Sequence, residues 1–224
     1  MARYSLIVAI VLALGGVASA DLTFYGVGDQ AAFQADTLIS ITETFDAVTP
    51  KDTPLSSFVS QGVTYTGLGG TGGGNVWVTS YSYGNFSVPV PDATVLTANG
   101  AEDFTLAMTF VGPITAVGFD TYLNTYGPAS IQVENADGWT GTLLSHDPTT
   151  VGFFGVTSDS PITALRWTTI GGEVVNTGID NVQIGTVVPV PGAALLALVG
   201  LGVAQGPLRR RRSSWLGSTR REQG

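Results

Sequence analysis

The chain contains no cysteine, one histidine and one lysine. Without thiols, disulfides, iron–sulfur clusters and Cys-type zinc sites are excluded together. A single histidine, His146, rules out the two- or three-histidine shell of a catalytic zinc. The only lysine, Lys51, stands in no Gly-rich phosphate-binding pattern, so a P-loop is absent. Basic residues are scarce where the chain looks foldable. Between Asp21 and Val188, sixteen Asp and Glu face only Lys51 and Arg166, a formal charge of −14. A domain this acidic repels phosphate backbones, which excludes nucleic acid as a partner and favours solubility or affinity for cations.

The two ends differ from this middle. Arg3, the apolar run Leu6–Leu14 and the small-x-small triplet Ala18-Ser19-Ala20 make residues 1–20 a secretory signal peptide cleaved before Asp21. After Gly185 the texture changes again. Pro189 and Pro191 break any strand, Gly192–Ala204 is small or aliphatic, and four arginines follow Pro207. Taken as one hydrophobic C-terminal helix, Val187–Ala204 would measure about 27 Å at 1.5 Å per residue, short of the roughly 30 Å hydrocarbon core. A marginal transmembrane helix followed by arginines keeps the arginines cytoplasmic and the acidic domain outside. The expected organisation is thus a signal peptide (1–20), an extracytoplasmic domain (21–185), a tail segment (186–212) and a disordered cytoplasmic end (213–224).

The middle reads as strands and turns. Phe104–Phe110 alternates at period two, placing Phe104, Leu106, Met108 and Phe110 on one face. Val76–Tyr83 behaves similarly. Further strands are expected at Ile39–Phe45, Gly62–Thr66, Thr94–Thr97, Ile114–Leu123, Ala129–Glu134, Gly138–Leu144, Val151–Val156, Ile162–Thr169 and Gly178–Ile184. Turn signals separate them: Asn99-Gly100, Gly112-Pro113, Asp137-Gly138, Ser160-Pro161 and Gly171-Gly172. Asn135–Gly138 is the best hairpin. Only Asp29–Ala35 looks helical, anchored inward by Phe33. Ten or so short strands with Gly-rich turns predict an all-β fold, an antiparallel β-sandwich of jelly-roll type, with a closed barrel as the alternative.

The tail carries a resemblance to a known family. Val188, Pro189, Val190, Pro191 and Gly192, then the apolar run and Arg209, Arg210, Arg211 and Arg212, resemble the PEP-CTERM sorting signal in its Val-Pro-x-Pro-Gly-Ala variant. The glutamate of the eponymous motif is Val190 here, and the chain runs twelve residues beyond Arg212. The resemblance implies passage through the export machinery, transient inner-membrane anchoring by the C-terminal helix and recognition by an exosortase-type processing enzyme. It further implies display at the cell surface or release, among exopolysaccharide-producing, biofilm-forming bacteria. Ile114–Asp120, Gly152–Val156 with Pro161-Ile162, and Gly178–Val182 resemble the β-sandwich ectodomains that often precede this signal.

Catalytic constellations are poorly supported. Gly67–Gly74 formally contains G-x-G-x-x-G, but a strand pattern follows where a dinucleotide site needs a helix. His146 stands in a turn beside Asp147, with no Gly-x-Ser-x-Gly nucleophile elsewhere. Sixteen acids make a glycosidase pair possible by number alone, and no motif selects one. Calcium suits oxygen-rich loops and strand ends. In carbohydrate-binding jelly rolls an acid after Phe in an early strand can meet an Asp of the last strand. Phe45-Asp46 and Ile179-Asp180-Asn181 resemble those places, which implies a structural calcium site of Asp46, Asp180 and Asn181. Trp77, Tyr81 and Tyr83 recur at period two and form either core or a sugar-stacking row. The expected role is a non-enzymatic structural or matrix component. A calcium-assisted carbohydrate-binding module contacting extracellular polysaccharide is the alternative, ahead of a glycan-active enzyme.

Overall fold

A computed structural model describes residues 21–67, 75–80, 94–98, 105–123, 128–169 and 178–188. The chain divides into two units, Met1–Val187 and Val188–Gly224, and every named element lies in the first. These are β1 (Leu22–Tyr25), α1 (Gln30–Ala35), β2 (Thr37–Glu43), β3 (Ser57–Ser60), β4 (Val63–Gly67), β5 (Val76–Ser80) and β6 (Thr94–Ala98). There follow β7 (Thr105–Tyr122), β8 (Ala129–Asn135), β9 (Gly138–Leu144), β10 (Gly152–Thr169) and β11 (Gly178–Val187). The fold is all-β and antiparallel. One curled sheet runs β5-β6-β11-β7-β10-β8-β9, with β1 added on β10, β2 on β11, and the β3–β4 hairpin on β7.

The spine differs from the expected pattern of short strands. Gly112-Pro113 and Ser160-Pro161 do not end strands: β7 and β10 each run 18 residues through them. The two dipeptides fall on either side of the Ile162–Ile114 pair, in the register shifts between Thr157 and Ile162 and between Ile162 and Ala164. Proline cannot donate to a ladder, so it is tolerated where an irregularity leaves its position unpaired. Gly112 has φ +107°, a conformation that a side chain would oppose. Both long strands are therefore interrupted at one level and continue beyond it. Strands β1 and β3 were not anticipated, being four residues each.

Beyond that level the spine is covered on both sides. Val117, Phe119, Phe154 and Val156 enter the main core, where Phe119 meets Trp167 at 5.7 Å and Phe154 at 5.2 Å between ring centroids. On the opposite face, Phe33 of α1 joins Tyr25, Ala116 and Phe153 in a smaller cluster. Its ring lies on Gly118 and Gly155, where a Cβ would stand 2.7 and 2.8 Å from it. The helix can dock only because those two positions lack side chains. This double cover explains why Gly152–Ser158 is an unbroken buried run instead of an alternating one.

At the other end of β10, β8 alternates cleanly. Ala129, Ile131, Val133 and Asn135 face inward, and Ser130, Gln132 and Glu134 are half-exposed. The anticipated hairpin joins β8 to β9: Asn135 pairs with Gly138, and Asn135 Oδ1 accepts the Asp137 N–H at 3.0 Å. Gly138 has φ +100°.

Candidate functional site

Two polar places stand out on this frame. The first is a group of carboxylates where β11 passes between β7 and β2. Asp180 lies directly opposite Asp120, and Val182 opposite Glu43. Between Asp180 and Gln183 the register slips, so two residues of β11 oppose one of β7. Asn181 takes φ +51° there, a left-handed conformation that Asn tolerates better than most residues. The bulge turns its amide onto Asp120, with Nδ2 donating to Oδ2 at 2.8 Å. Its backbone N–H donates to Asp180 Oδ1 at 2.7 Å. Glu43 is buried and accepts the Phe45 N–H at 2.6 Å as well as the Ser60 hydroxyl. Asp46 is exposed and accepts from Thr44 Oγ1 at 2.9 Å.

Burial and charge set the electrostatics of this group. Loss of hydration pushes the Asp180 carboxyl up to about 7; the Asn181 N–H opposes that, and the negative charges of Asp120, Asp46 and Glu43 add to it. Asp120 is raised for the same first reason, against the Asn181 amide. Asp46 is held below the usual carboxylate range by the hydroxyls of Thr94 and Thr44. Of the three expected calcium ligands, Asp46 and Asp180 do interact, while the Asn181 amide is turned to Asp120. Among the described residues no three His, Asp or Glu side chains are arranged as a metal shell. The residues as placed do not make a finished calcium site. Asp120 and Glu43 were missed because their proximity to Asp180 comes from strand pairing, not from local sequence.

The second place is the outer face of β10, β8 and β9. Trp139, at 37% exposure, is among the exposed large apolar residues. The Arg166 guanidinium carbon stands 4.1 Å from the centre of its ring, within the range of a cation–π contact. Glu134 lies opposite Trp139, and Gln132 lies opposite both Gly141 and Arg166. Glu134 Oε2 accepts from Thr163 Oγ1 at 2.9 Å. An amphipathic ring, a guanidinium, an amide and a carboxylate thus share one open sheet face. Nothing in the sequence marked Trp139, since a large aromatic in an alternating strand is more often core. Its partner Arg166 is 27 residues away.

The expected aromatic row falls only partly on this structure. Trp77 is half-buried on β5, and Tyr81 and Tyr83 lie outside the described residues. So do Ala18 and Ala20 of the cleavage site and Pro189, Val190, Pro191, Gly192 and Arg209–Arg212 of the sorting signal; Val188 is the last described residue. Among the described residues no helix is long and apolar enough to cross a membrane. His146 is engaged at both nitrogens: Nδ1 lies 2.9 Å from the Asp147 carbonyl, and Nε2 lies 2.9 Å from Thr121 Oγ1. A carbonyl only accepts, so Nδ1 donates to Asp147, and Nε2 shares its contact with a Thr121 hydroxyl that can serve in either role. The glycine-rich stretch precedes strand β5, not a helix. A shallow cavity of about 200 Å³ is lined by Asp21, Thr23, Thr157, Ser158, Asp159 and Val187, so the two ends of the domain lie together.

No family model matches the chain, and no curated protein matches it. Solved structures resemble it at low identity. One is a family 29 carbohydrate-binding module variant complexed with mannohexaose (13% identity, 74% of this chain and 92% of that chain, TM-score 0.41). Another variant of that module is complexed with cellulohexaose (15% identity, 67% and 91%, TM-score 0.43). A third is the K2 cleaved adhesin domain of Lys-gingipain (12% identity, 65% and 97%, TM-score 0.44). No residue role is carried over from any of them.

Proposed function

We propose that this is an exported, surface-sorted bacterial protein with a non-enzymatic role in an extracellular polysaccharide matrix. Its β domain, of jelly-roll type, contacts polysaccharide through the outer face of β8, β9 and β10. The observation that carries the contact is Trp139, exposed on an open sheet face beside Arg166, Gln132 and Glu134. An indole offers a sugar ring an apolar face, and the flanking groups offer hydrogen bonds to its hydroxyls. The leader ending at Ala20 and the tail from Val188 to Arg212 supply the address. They join the domain at neighbouring points, Asp21 and Val187.

Co-sedimentation of the chain with the producing bacterium's exopolysaccharide tests this reading. The wild type pellets with the polymer, Trp139→Ala remains folded and stays in the supernatant, and Trp77→Ala reports on the expected β5 row. Equal pelleting of Trp139→Ala and wild type would reject the outer face as the contact. Mass spectrometry of the surface-exposed protein tests the address, because a chain that retains its leader or its arginine tail contradicts export and sorting as described.

A calcium-assisted version is favoured by one observation. Asp180 is buried, and the negative charges of Asp120, Asp46 and Glu43 act on it. A divalent ion at Asp46 and Asp180 would offset that repulsion. A melting temperature indifferent to millimolar calcium removes this version and leaves the polysaccharide contact standing.

A further inference from the structure

Strand β9 is an end strand: among the described residues it pairs with β8 and with nothing on its other side. Its sequence, Gly138-Trp-Thr-Gly-Thr-Leu-Leu144, holds no charge and no proline, and its ladder with β8 runs without a bulge. Those are the devices by which sheet edges ordinarily avoid other chains. Their absence is unusual in a domain with sixteen acids. Trp139 and Leu143 on its outer face are 37% and 65% exposed, and Thr140 and Gly141 are exposed as well.

We propose that β9 pairs antiparallel with β9 of a second copy of this chain, about a two-fold axis at Gly141. The strand is self-complementary about that residue alone. Gly141 is the middle of seven residues, so an axis there pairs all of them. On the outer face, Trp139 of one copy lies opposite Leu143 of the other, and the reverse. An exposed apolar side chain thereby meets its counterpart twice. On the other face Thr140 lies opposite Thr142, a pair that can exchange a hydroxyl hydrogen bond. The two glycines meet at the axis, where no side chains crowd. No charge faces another anywhere along the ladder, so the strongly acidic domains can approach at this edge. The product is a continuous sheet in which two copies of the Trp139 face lie side by side, a bivalent surface. One strand pair is small beside the roughly 1,600 Å² of a standard interface, so the dimer dissociates on dilution. This pairing stands independently of the polysaccharide contact, since it is read by covalent capture and not by binding.

The absence of cysteine makes the test clean. Directly opposed residues of an antiparallel pair have Cα atoms about 4.5–5.5 Å apart, within disulfide reach. A Cβ at Gly141 meets only Gln132 Cγ and Ile131 O, both at 3.6 Å, so the site accepts a side chain. The full-length chain carrying Gly141→Cys is oxidised mildly, beside Leu143→Cys and Val111→Cys. Val111 is 78% exposed and remote from β9 in the sheet order, and measures random collision. The expected result is a disulfide-linked dimer formed at least tenfold faster by Gly141→Cys than by either control. Equal rates for the three overturn the proposal. A second set guards against a local effect of the thiol. Gly141→Lys and Gly141→Glu each place like charges at the axis and lose the dimer in sedimentation velocity, and an equimolar mixture regains it. A dimer unchanged by either variant, or a mixture that stays monomeric, overturns pairing about Gly141.

Discussion

Asp180 and Asp120 face each other across the β11–β7 ladder, and the Asn181 side chain donates to Asp120 at 2.8 Å. Like charges directly opposed in a sheet destabilise it. Burial first, and the facing Asp120 charge after it, favour a proton on Asp180, whose carboxyl is pushed up to about 7.

That relationship gives a pH prediction with a definite sign. The folded-state value lies above the unfolded value of roughly 3.9, so the native state binds more protons than the unfolded one between them. The stabilisation is fully present below about pH 4 and is lost as pH rises through about 7. Asp180→Asn should remove the penalty, because an amide oxygen can still accept the Asn181 N–H. Its melting temperature is expected to exceed the wild type's by roughly 3 °C or more at pH 8 and to match it at pH 4. An advantage of the same size at both values would show that ionisation of Asp180 is not the cause.

The cation–π pair is testable apart from any ligand. Arg166→Gln removes a contact worth about 0.5–1 kcal/mol at an exposed site and leaves the Trp139 ring more open. The expected outcome is a small loss of stability in urea together with weaker polysaccharide pelleting, since a flanking donor is lost. Unchanged pelleting would remove Arg166 from the polymer contact and leave it only the contact with the Trp139 ring.

Phe33 is the anchor of α1 and is fully buried on Gly118 and Gly155. Gly118→Ala forces a methyl group into its ring and should cost about 1–3 kcal/mol by overpacking. Phe33→Ala should cost about 3–5 kcal/mol through the cavity it leaves. The double variant should lose less than the sum, because one of the two rings that the methyl group would strike, Phe33, is gone and Phe153 can shift into the space it leaves. Strict additivity in chemical denaturation would contradict this packing.

The Tyr65 hydroxyl is fully buried and without a hydrogen-bond partner among the described residues. Loss of hydration, with Glu43 nearby, raises its pKa strongly. An unsatisfied buried hydroxyl contributes nothing favourable, so Tyr65→Phe should be neutral or stabilising by up to about 1 kcal/mol. Clear destabilisation in a thermal melt would reveal a partner for the hydroxyl.

Local physics was legible in the residues. Ala129–Glu134 and Gly138–Leu144 were legible as strands, now β8 and β9, and Asn135–Gly138 as their turn, because strand and turn preferences act over a few neighbours. Phe33 was legible as the buried anchor of α1 for the same reason. The all-β, antiparallel class followed from short strand-like runs and frequent glycine. The apolar run Leu6–Leu14, the stretch Val188–Gly192 with the arginines after it, and the charge of −14 between Asp21 and Val188 are properties of the sequence itself and need no fold to be read.

What depends on distant strands meeting was not legible. Gly112-Pro113 and Ser160-Pro161 look like chain reversals, yet β7 and β10 run through both, because the irregular register between the two strands accommodates each proline. Asp120 and Glu43 join Asp180 only through ladders linking positions 60 and more residues apart. No local pattern distinguishes Trp139 from a core aromatic; the pairing of β8 with β9 turns its side chain to solvent beside Arg166. Sequence alone determined the class of fold and the expected address of this protein, since composition and short-range periodicity decide both. Tertiary structure alone decided that Asp120 and Glu43 lie beside Asp180 and that Trp139 is exposed, because strand register sets the face of every side chain and no local pattern sets the register.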